Sequence, residues 1–291
     1  MYLNSYKYET GVARNGRVEI DVDRDMYLSQ GLGRMLSEWL GTLEVGDKVA
    51  VLYAAGPAIH HSDSRKIKGT GKDGTVVVKS QVGFSVYELL RMCKFEVDFV
   101  SINANTCASS MYSLYEADKL LRDGYSDVVV ISLDLVDDTQ ELLFKQLGVD
   151  LVCGDGVLGM HLSNRSSEIG IDKVVWKWNR DASPMAVSSE GYKKVLTEIG
   201  KVDIVKMHGS GTERNTKEEL TAIEEVVGDV KCIEYKSEIG HTQGASSGIE
   251  LCMLVDREQE WETAAVLASG LGGFYGGCRV RRNNGDKETR V

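Results

Sequence analysis

The sequence predicts an α/β fold with a mainly parallel sheet, and three observations predict it. The length of 291 residues suits one large α/β domain or two smaller ones. Hydrophobic residues make up 42% of the chain and charged residues 27%, so a large core can form without disulfide bonds. Short runs rich in valine and isoleucine alternate with stretches in which apolar residues have helical spacing, which is typical of strands joined by crossover helices.

The predicted strands are short, predominantly apolar runs, the pattern of strands that are buried on both faces of a sheet. In chain order they cover residues 49–53, 76–79, 97–102, 128–132, 157–161, 173–176, 203–207, 230–235, 264–268 and 278–281.

Helices are predicted between the strands wherever apolar residues recur three or four positions apart. The first covers residues 27–43. The second begins near Met111 and stops at Gly124, a residue suited to a helix C-terminus. A third covers 216–227 and opens with a Thr–Glu pair in capping-box spacing, and a fourth covers 245–258.

The chain divides most naturally in the polar stretch 164–168, which lies between two predicted strands. We therefore predict an N-terminal half of residues 1–165, a C-terminal half of residues 166–282 and a disordered tail of residues 283–291. The two halves have similar orders of elements, but no clear sequence repeat relates them.

Composition and charge exclude several classes of partner. A net charge of -10 argues against nucleic-acid binding, because a phosphate backbone requires a basic face. No apolar run approaches the ~20 residues that a membrane-spanning helix needs, and the first residues are too polar for a signal peptide. The six cysteines form no C-x-x-C pair, so we expect reduced thiols, no metal site and a cytoplasmic location.

The first candidate site residue is Cys107, in the motif Asn-Thr-Cys-Ala-Ser-Ser at residues 105–110. The motif directly follows a predicted strand and opens a predicted helix. A cysteine at a helix N-terminus faces unpaired backbone N–H groups and the positive end of the helix dipole, and both stabilise the nucleophilic thiolate. The alternative is a small buried residue in a tight turn.

Two histidines also follow predicted strands. His208 precedes a Gly-Ser-Gly-Thr turn, and His241 lies in the motif Lys-Ser-Glu-Ile-Gly-His-Thr-Gln-Gly-Ala at residues 236–245. For each histidine alone, the alternative is a hydrogen-bonded structural role. Together with the cysteine, two imidazoles at strand ends favour acyl transfer through a thioester intermediate.

These three motifs, in this order, resemble the active-site motifs of the β-ketoacyl synthases, or ketosynthases, of the thiolase superfamily. The glycine-rich stretches 154–159 and 269–274 resemble two further segments of that family. The resemblance covers about residues 98–281 and implies a thiolase-like fold: two similar βαβαβαββ halves packed as layers in the order α-β-α-β-α. The resemblance implies that the chain is an unusually short member of the β-ketoacyl synthase family.

The resemblance implies a role for each motif residue. Cys107 would hold the acyl group as a thioester. His208 and His241 would bind the thioester carbonyl of the extender unit and promote its decarboxylation. The backbone N–H groups of Cys107 and Leu271 would form the oxyanion hole.

The resemblance also implies supporting residues around this centre. Lys236 and Glu250 fall where the family has a supporting lysine and glutamate, although Glu250 is equally compatible with a solvent-facing position on a helix. The residues that correspond to the family's substrate loops are Thr212, Gly270, Gly272 and Gly273.

Three functions remain open from the sequence. The first is condensation of an acyl-Cys107 thioester with a malonyl-type extender in a fatty-acid or polyketide-like pathway. The second is transfer of the acyl group to an amine, alcohol or thiol without decarboxylation. The third is a non-catalytic partner subunit that resembles a chain length factor. Leu271 stands where elongating members carry a gating phenylalanine, and Thr216 replaces a common aspartate, so chain elongation itself is not implied.

The resemblance implies substrates rather than a bound cofactor. Acyl groups would arrive on a phosphopantetheine arm, carried by acyl carrier protein or coenzyme A. Family members are dimers through the strand before the nucleophile, here residues 98–102, so we expect a homodimer or a heterodimer with a synthase homologue.

The basic cluster Arg65, Lys66, Lys68 and Lys72 is a candidate dock for an acidic carrier protein, although charge runs are more often simply solvated. Reversing two of these charges is expected to slow loading from carrier-bound thioesters and to leave loading from small thioesters unchanged. Acylation rates measured with both donors check this. Equal slowing with both donors would remove the docking role.

Overall fold

Twelve strands and eight helices build the part of the chain that the computed structural model describes, which is residues 1–14, 17–21, 28–56, 82–136, 138–146, 151–180 and 187–283. The strands are β1 (Tyr2–Thr10), β2 (Val12–Arg14), β3 (Arg17–Glu19), β4 (Val49–Ala54), β5 (Phe99–Asn103), β6 (Asp127–Asp134), β7 (Gly156–Ser163), β8 (Ile169–Trp178), β9 (Ile204–Lys206), β10 (Lys231–Ile233), β11 (Thr263–Gly270) and β12 (Phe274–Arg282).

The helices are α1 (Leu28–Thr42), α2 (Val82–Leu90), α3 (Ser109–Arg122), α4 (Asp138–Gln146), α5 (Ser189–Ile199), α6 (Glu213–Val226), α7 (Lys236–Ile239) and α8 (Ser246–Arg257). Single 3-10 turns, Thr106–Ala108 and Gln243–Ala245, lead into α3 and α8 respectively. None of these helices is both long and apolar enough to span a bilayer.

Ten of the strands form one sheet in the order β10-β9-β11-β12-β8-β1-β7-β6-β4-β5. Its parallel pairs lie at the two ends, and every pair from β11 through to β6 is antiparallel. The expectation of a mainly parallel sheet is therefore wrong. A tight turn joins β11 to β12, which requires antiparallel pairing, and β1 inserts antiparallel between β7 and β8.

The sheet consists of two five-stranded halves with the same topology. Numbered along the chain within each half, both β5-β4-β6-β7-β1 and β10-β9-β11-β12-β8 have the order 3-2-4-5-1 with the same strand directions. The halves join through β1 and β8, which share only the pairs Tyr2↔Gly170 and Leu3↔Ile169. The expectation of two similar halves is thereby confirmed.

The layers follow from the alternation of side chains along the strands. In β4, Ala50 and Leu52 face a central core that includes α3 and α8, whereas Val49 and Val51 face an outer core with α1. A third core lies between the second half-sheet and helices α5 and α6. The layer order α-β-α-β-α is therefore confirmed, with α3 and α8 in the middle layer.

The two middle helices cross at a pair of serines. Ser110 Oγ lies 2.7 Å from Ser247 Oγ, and the backbone N–H of Gly248 donates to Ser110 Oγ at 3.0 Å. A side chain at Gly248 would collide with Leu158, because its Cβ would lie 2.2 Å from Leu158 Cδ2. The helices approach this closely because small residues occupy the crossing.

Most of the predicted elements are present with shifted ends, and several elements of the structure were not predicted. The predicted strand 76–79 lies outside the described residues. The predicted tail began at Asn283, but that residue bonds to the backbone carbonyls of Glu168 and Ser167, and residues 284–291 are outside the described part. The division at 165/166 stays a prediction and falls between β7 and β8. The elements not predicted were β1, β2, β3, α2, α4, α5 and α7.

The substitution Gly248→Ala is expected to destabilise the protein by about 1–3 kcal/mol, because Leu158 must move to admit the methyl group. Gly41→Ala in α1 is the matched control, since its new Cβ would meet only the flexible end of the Lys94 side chain. Urea unfolding of both variants measures the difference. Equal stability of Gly248→Ala and Gly41→Ala would contradict the tight crossing.

Candidate active site

The turn that carries Cys107 is held in an unusual backbone conformation between β5 and α3. Thr106 has a φ of 54°, in the left-handed region that non-glycine residues rarely adopt. Ser109 stabilises this turn, since its Oγ donates to Thr106 O at 2.8 Å and accepts from the backbone N–H of Asn105 at 2.8 Å. Cys107 thus lies at the end of the strand and at the start of the helix, as the sequence predicts.

Burial dominates the electrostatics of the Cys107 thiol. It raises the pKa of that thiol to about 11, with a further increase from Asp134, while Lys236, a backbone hydrogen bond and the Thr106 side chain lower it. The stabilisation of thiolate expected at the helix N-terminus is therefore outweighed by desolvation. The resting side chain is a neutral thiol, and its proton must leave as the sulfur attacks.

The backbone at His208 is fixed by a buried carboxylate. Glu219 accepts from the backbone N–H of His208 at 2.5 Å and from that of Gly209 at 3.0 Å. The Lys236 ammonium donates to His208 O. Burial lowers the pKa of His208 well below its usual range, and Lys236 and His241 lower it further, so this imidazole is neutral.

The tautomer of His241 follows from its hydrogen bonding. The backbone N–H of Gln243 donates to His241 Nδ1 at 3.1 Å, so in the neutral ring Nε2 carries the proton. Burial lowers the pKa of His241 to about 3, with help from Lys236. The rings of His208 and His241 lie edge to face with centroids 5.8 Å apart. The predicted histidine pair is thus brought together in neutral form.

A buried charge cluster lies behind the histidines. Glu250 is 0% exposed, so the solvent-facing alternative for this residue is wrong. Its carboxylate pairs with Lys236 Nζ at 2.5 Å and with the ammonium of Lys206, which is also 0% exposed. Burial lowers the pKa of Lys206, and the Glu250 charge opposes this effect.

Sequence reasoning missed Lys206 because it lies inside an apolar strand pattern. The signal was available: a lysine in a run predicted to be buried on both faces requires a buried partner. The positive charges of Lys236 and Lys206 lower the pKa of both His208 and His241.

The other predicted loop residues lie in the turn between β11 and β12 and at the start of α6. Gly270 packs on the nucleophile turn, since a Cβ there would lie 2.5 Å from Thr106 Oγ1 and 2.7 Å from Asn105 O. Leu271, Gly272 and Gly273 follow in the turn between β11 and β12, and the two glycines have positive φ angles. Thr212 is the N-cap residue of α6.

A cavity of about 390 Å³ opens onto His241. Its walls include Met207, Gly209, Thr216 and Lys236. Cys107 and His208 are not among the residues that line it.

Comparison with known proteins identifies the architecture. The family model "Beta-ketoacyl synthase, C-terminal domain" matches residues 176–257, which include His208, Lys236, His241 and Glu250. The ishigamide ketosynthase/chain length factor superposes with a TM-score of 0.74 and 16% identity, over 96% of this chain and 92% of that one. The chain has the fold of the thiolase-superfamily ketosynthases.

Two further solved structures have the same ketosynthase fold. A β-ketoacyl synthase from Burkholderia phymatum STM815 has a TM-score of 0.73 and 15% identity, over 88% of this chain and 82% of its own. A ketosynthase (ApeO) in complex with its chain length factor (ApeC) from Xenorhabdus doucetiae has a TM-score of 0.72 and 13% identity, over 97% of both chains. Comparison with curated proteins gives no match.

The predicted dimer segment lies at one end of the sheet. Among the described residues β5 is the outermost strand at that end, and Val100 and Ile102 on it are 40% and 44% exposed. The candidate carrier dock, Arg65, Lys66, Lys68 and Lys72, lies outside the described residues.

Replacing Glu250 by Gln is expected to destabilise the protein by about 3–5 kcal/mol, because two buried ammonium groups lose their shared counter-charge. Glu238→Gln is the matched control, since its ion pair with Arg257 is largely exposed and is worth under ~1 kcal/mol. Urea unfolding at neutral pH compares the two. A loss in Glu250→Gln as small as that in Glu238→Gln would contradict the buried cluster.

Proposed function

We propose that the chain is a ketosynthase-type acyltransferase in which Cys107 is the nucleophile and His208 and His241 bind the extender. The observation that supports this most strongly is the neutral histidine pair, with ring centroids 5.8 Å apart and a proton on His241 Nε2. Two neutral N–H donors are suited to a carbonyl oxygen that becomes negative during reaction.

In the loading step, Cys107 Sγ attacks the carbonyl carbon of an acyl thioester. The bond from that carbon to the donor sulfur breaks, and the donor thiolate takes up the proton that Cys107 releases. The backbone N–H groups of Cys107 and Leu271 would bind the tetrahedral oxyanion, and one such donor is typically worth ~3 kcal/mol of the barrier.

In the condensation step, a malonyl-type thioester loses carbon dioxide. The electron pair of the broken carbon–carbon bond forms an enolate, whose oxygen accepts hydrogen bonds from His208 and His241. The enolate carbon then attacks the acyl carbonyl on Cys107, and the cysteine leaves as a thiolate and is reprotonated. Burial keeps both histidines neutral, and the ammonium groups of Lys206 and Lys236 add to this effect and would stabilise the enolate.

The donor and extender would arrive on a phosphopantetheine arm of acyl carrier protein or coenzyme A. The cavity beside His241 supports this, because it is lined by the glycines 209 and 211 and by apolar Met207 and Leu151. Small and apolar walls suit a flexible arm that ends in a thioester.

Non-decarboxylating transfer to an amine, alcohol or thiol is a second candidate, since Cys107 alone suffices for it.

A partner-subunit role is a third, and one observation favours a synthase partner. Two of the similar structures are those of a ketosynthase/chain length factor and of a ketosynthase in complex with its chain length factor. The exposed edge strand β5 would offer such a partner, or a second copy of this chain, an apolar surface for pairing.

Incubation with a panel of acyl-CoA and acyl-carrier thioesters is expected to add the acyl mass to the protein. The adduct is expected to disappear in Cys107→Ala and to persist in the control Cys232→Ala, as intact-mass spectrometry would measure. Carbon dioxide release from malonyl thioester is expected to fall about 10²-fold in His241→Ala. Loading without any carbon dioxide release would favour simple acyl transfer, and no adduct from any donor would favour the partner subunit.

A further inference from the structure

Gln243 reaches the nucleophile from the opposite half of the molecule. Its carboxamide Oε1 lies 3.9 Å from Cys107 Sγ, within the range of a thiol hydrogen bond. The side chain is 6% exposed, and its Nε2 has no hydrogen-bond partner among the described residues. A buried amide donor without a partner is costly, so a partner is expected to appear during the reaction.

The backbone at Gln243 is built to hold this position. Its φ is 50°, in the left-handed region, and its N–H donates to His241 Nδ1 at 3.1 Å. The neighbouring Gly244 admits no side chain, because a Cβ there would lie 2.5 Å from Gly56 N. The same turn therefore fixes the tautomer of His241 and directs the Gln243 side chain towards Cys107.

We propose that the Gln243 carboxamide is the hydrogen-bonding partner of the Cys107 sulfur in both of its protonation states. In the resting protein Oε1 accepts from the thiol S–H. When the thiol loses its proton, the Gln243 carboxamide flips, so that Nε2 replaces Oε1 beside the sulfur. The unpartnered Nε2–H then donates to the thiolate. The inference rests on the proposed function only in naming Cys107 as the nucleophile.

The amide favours the thiolate over the thiol. A hydrogen bond to a charged acceptor is roughly twice as strong as one between neutral groups, so the Nε2–H bond outweighs the Oε1 bond. Other groups that act on the thiol are Lys236 of α7 and Asp134 at the end of β6. Cys153 before β7 and Tyr192 of α5 are also within electrostatic range of Cys107. All of these remain in place when Gln243 alone is changed.

The test is the pH dependence of Cys107 alkylation by iodoacetamide, read from the mass of the peptide that contains Cys107. Gln243→Asn keeps a residue that tolerates left-handed backbone and withdraws the amide by one methylene. Below the midpoint, at about pH 8, its alkylation is expected to be about tenfold slower than in the unmodified protein. Gln243→Met keeps the length of the side chain and removes both hydrogen-bonding groups, so a similar slowing is expected.

Gln259→Asn, an exposed glutamine at the end of α8, is the matched control and is expected to retain the profile of the unmodified protein. If Gln243→Asn does not fold, Gln243→Met decides alone. An alkylation rate unchanged in the folded Gln243 variants would overturn the proposal. Alkylation needs no acyl donor, so failure of every thioester to load Cys107 would remove the proposed function and leave this result standing.

Discussion

The crossing of α3 and α8 at Ser110 and Ser247 is the contact on which the rest of the structure depends. Each helix begins in a 3-10 turn, so their close approach brings the two turns together at one point. One turn belongs to the first half-sheet and carries Cys107, and the other belongs to the second half-sheet and carries Gln243. The geometry of the candidate active site is therefore set by helix packing in the middle layer.

Burial determines the chemistry at this point. It makes the Cys107 thiol a weaker acid than a free cysteine and keeps His208 and His241 neutral. In the proposed reaction, a neutral thiol gives its proton to the departing donor thiolate, and two neutral imidazoles donate N–H groups to the enolate. Behind the histidines lies the buried pairing of Glu250 with Lys206 and Lys236. Water is excluded from that cluster, so its field is less screened at the histidines.

The sequence predicted most of what depends on local pattern. Continuous apolar runs gave β4, β6 and β7, and strand-end motifs gave Cys107, His208 and His241. β1 was missed because its alternating polar residues make it half-buried, and without β1 the antiparallel centre of the sheet could not be predicted. Lys206 and Gln243 were missed because their importance lies in contacts with residues distant in the chain.

The repeat that relates the halves was also overlooked, because it is visible only over a few residues. Thr-Cys-Ala-Ser-Ser at 106–110 and Gln-Gly-Ala-Ser-Ser at 243–247 share only three identical letters. Both are turns that begin with a left-handed residue, and both end in the serine of the helix crossing.

The two left-handed residues have a consequence for the evolution of this protein. A non-glycine residue in that conformation typically costs about 1–3 kcal/mol, so Thr106 and Gln243 are held there at the expense of overall stability. Exchanging Thr106 for glycine would relieve that strain but free the backbone that positions the Cys107 thiol, and exchanging Gln243 for glycine would remove the amide itself. Selection for thermal resistance alone would therefore tend to replace these two residues first, at the expense of the contact between Cys107 and Gln243.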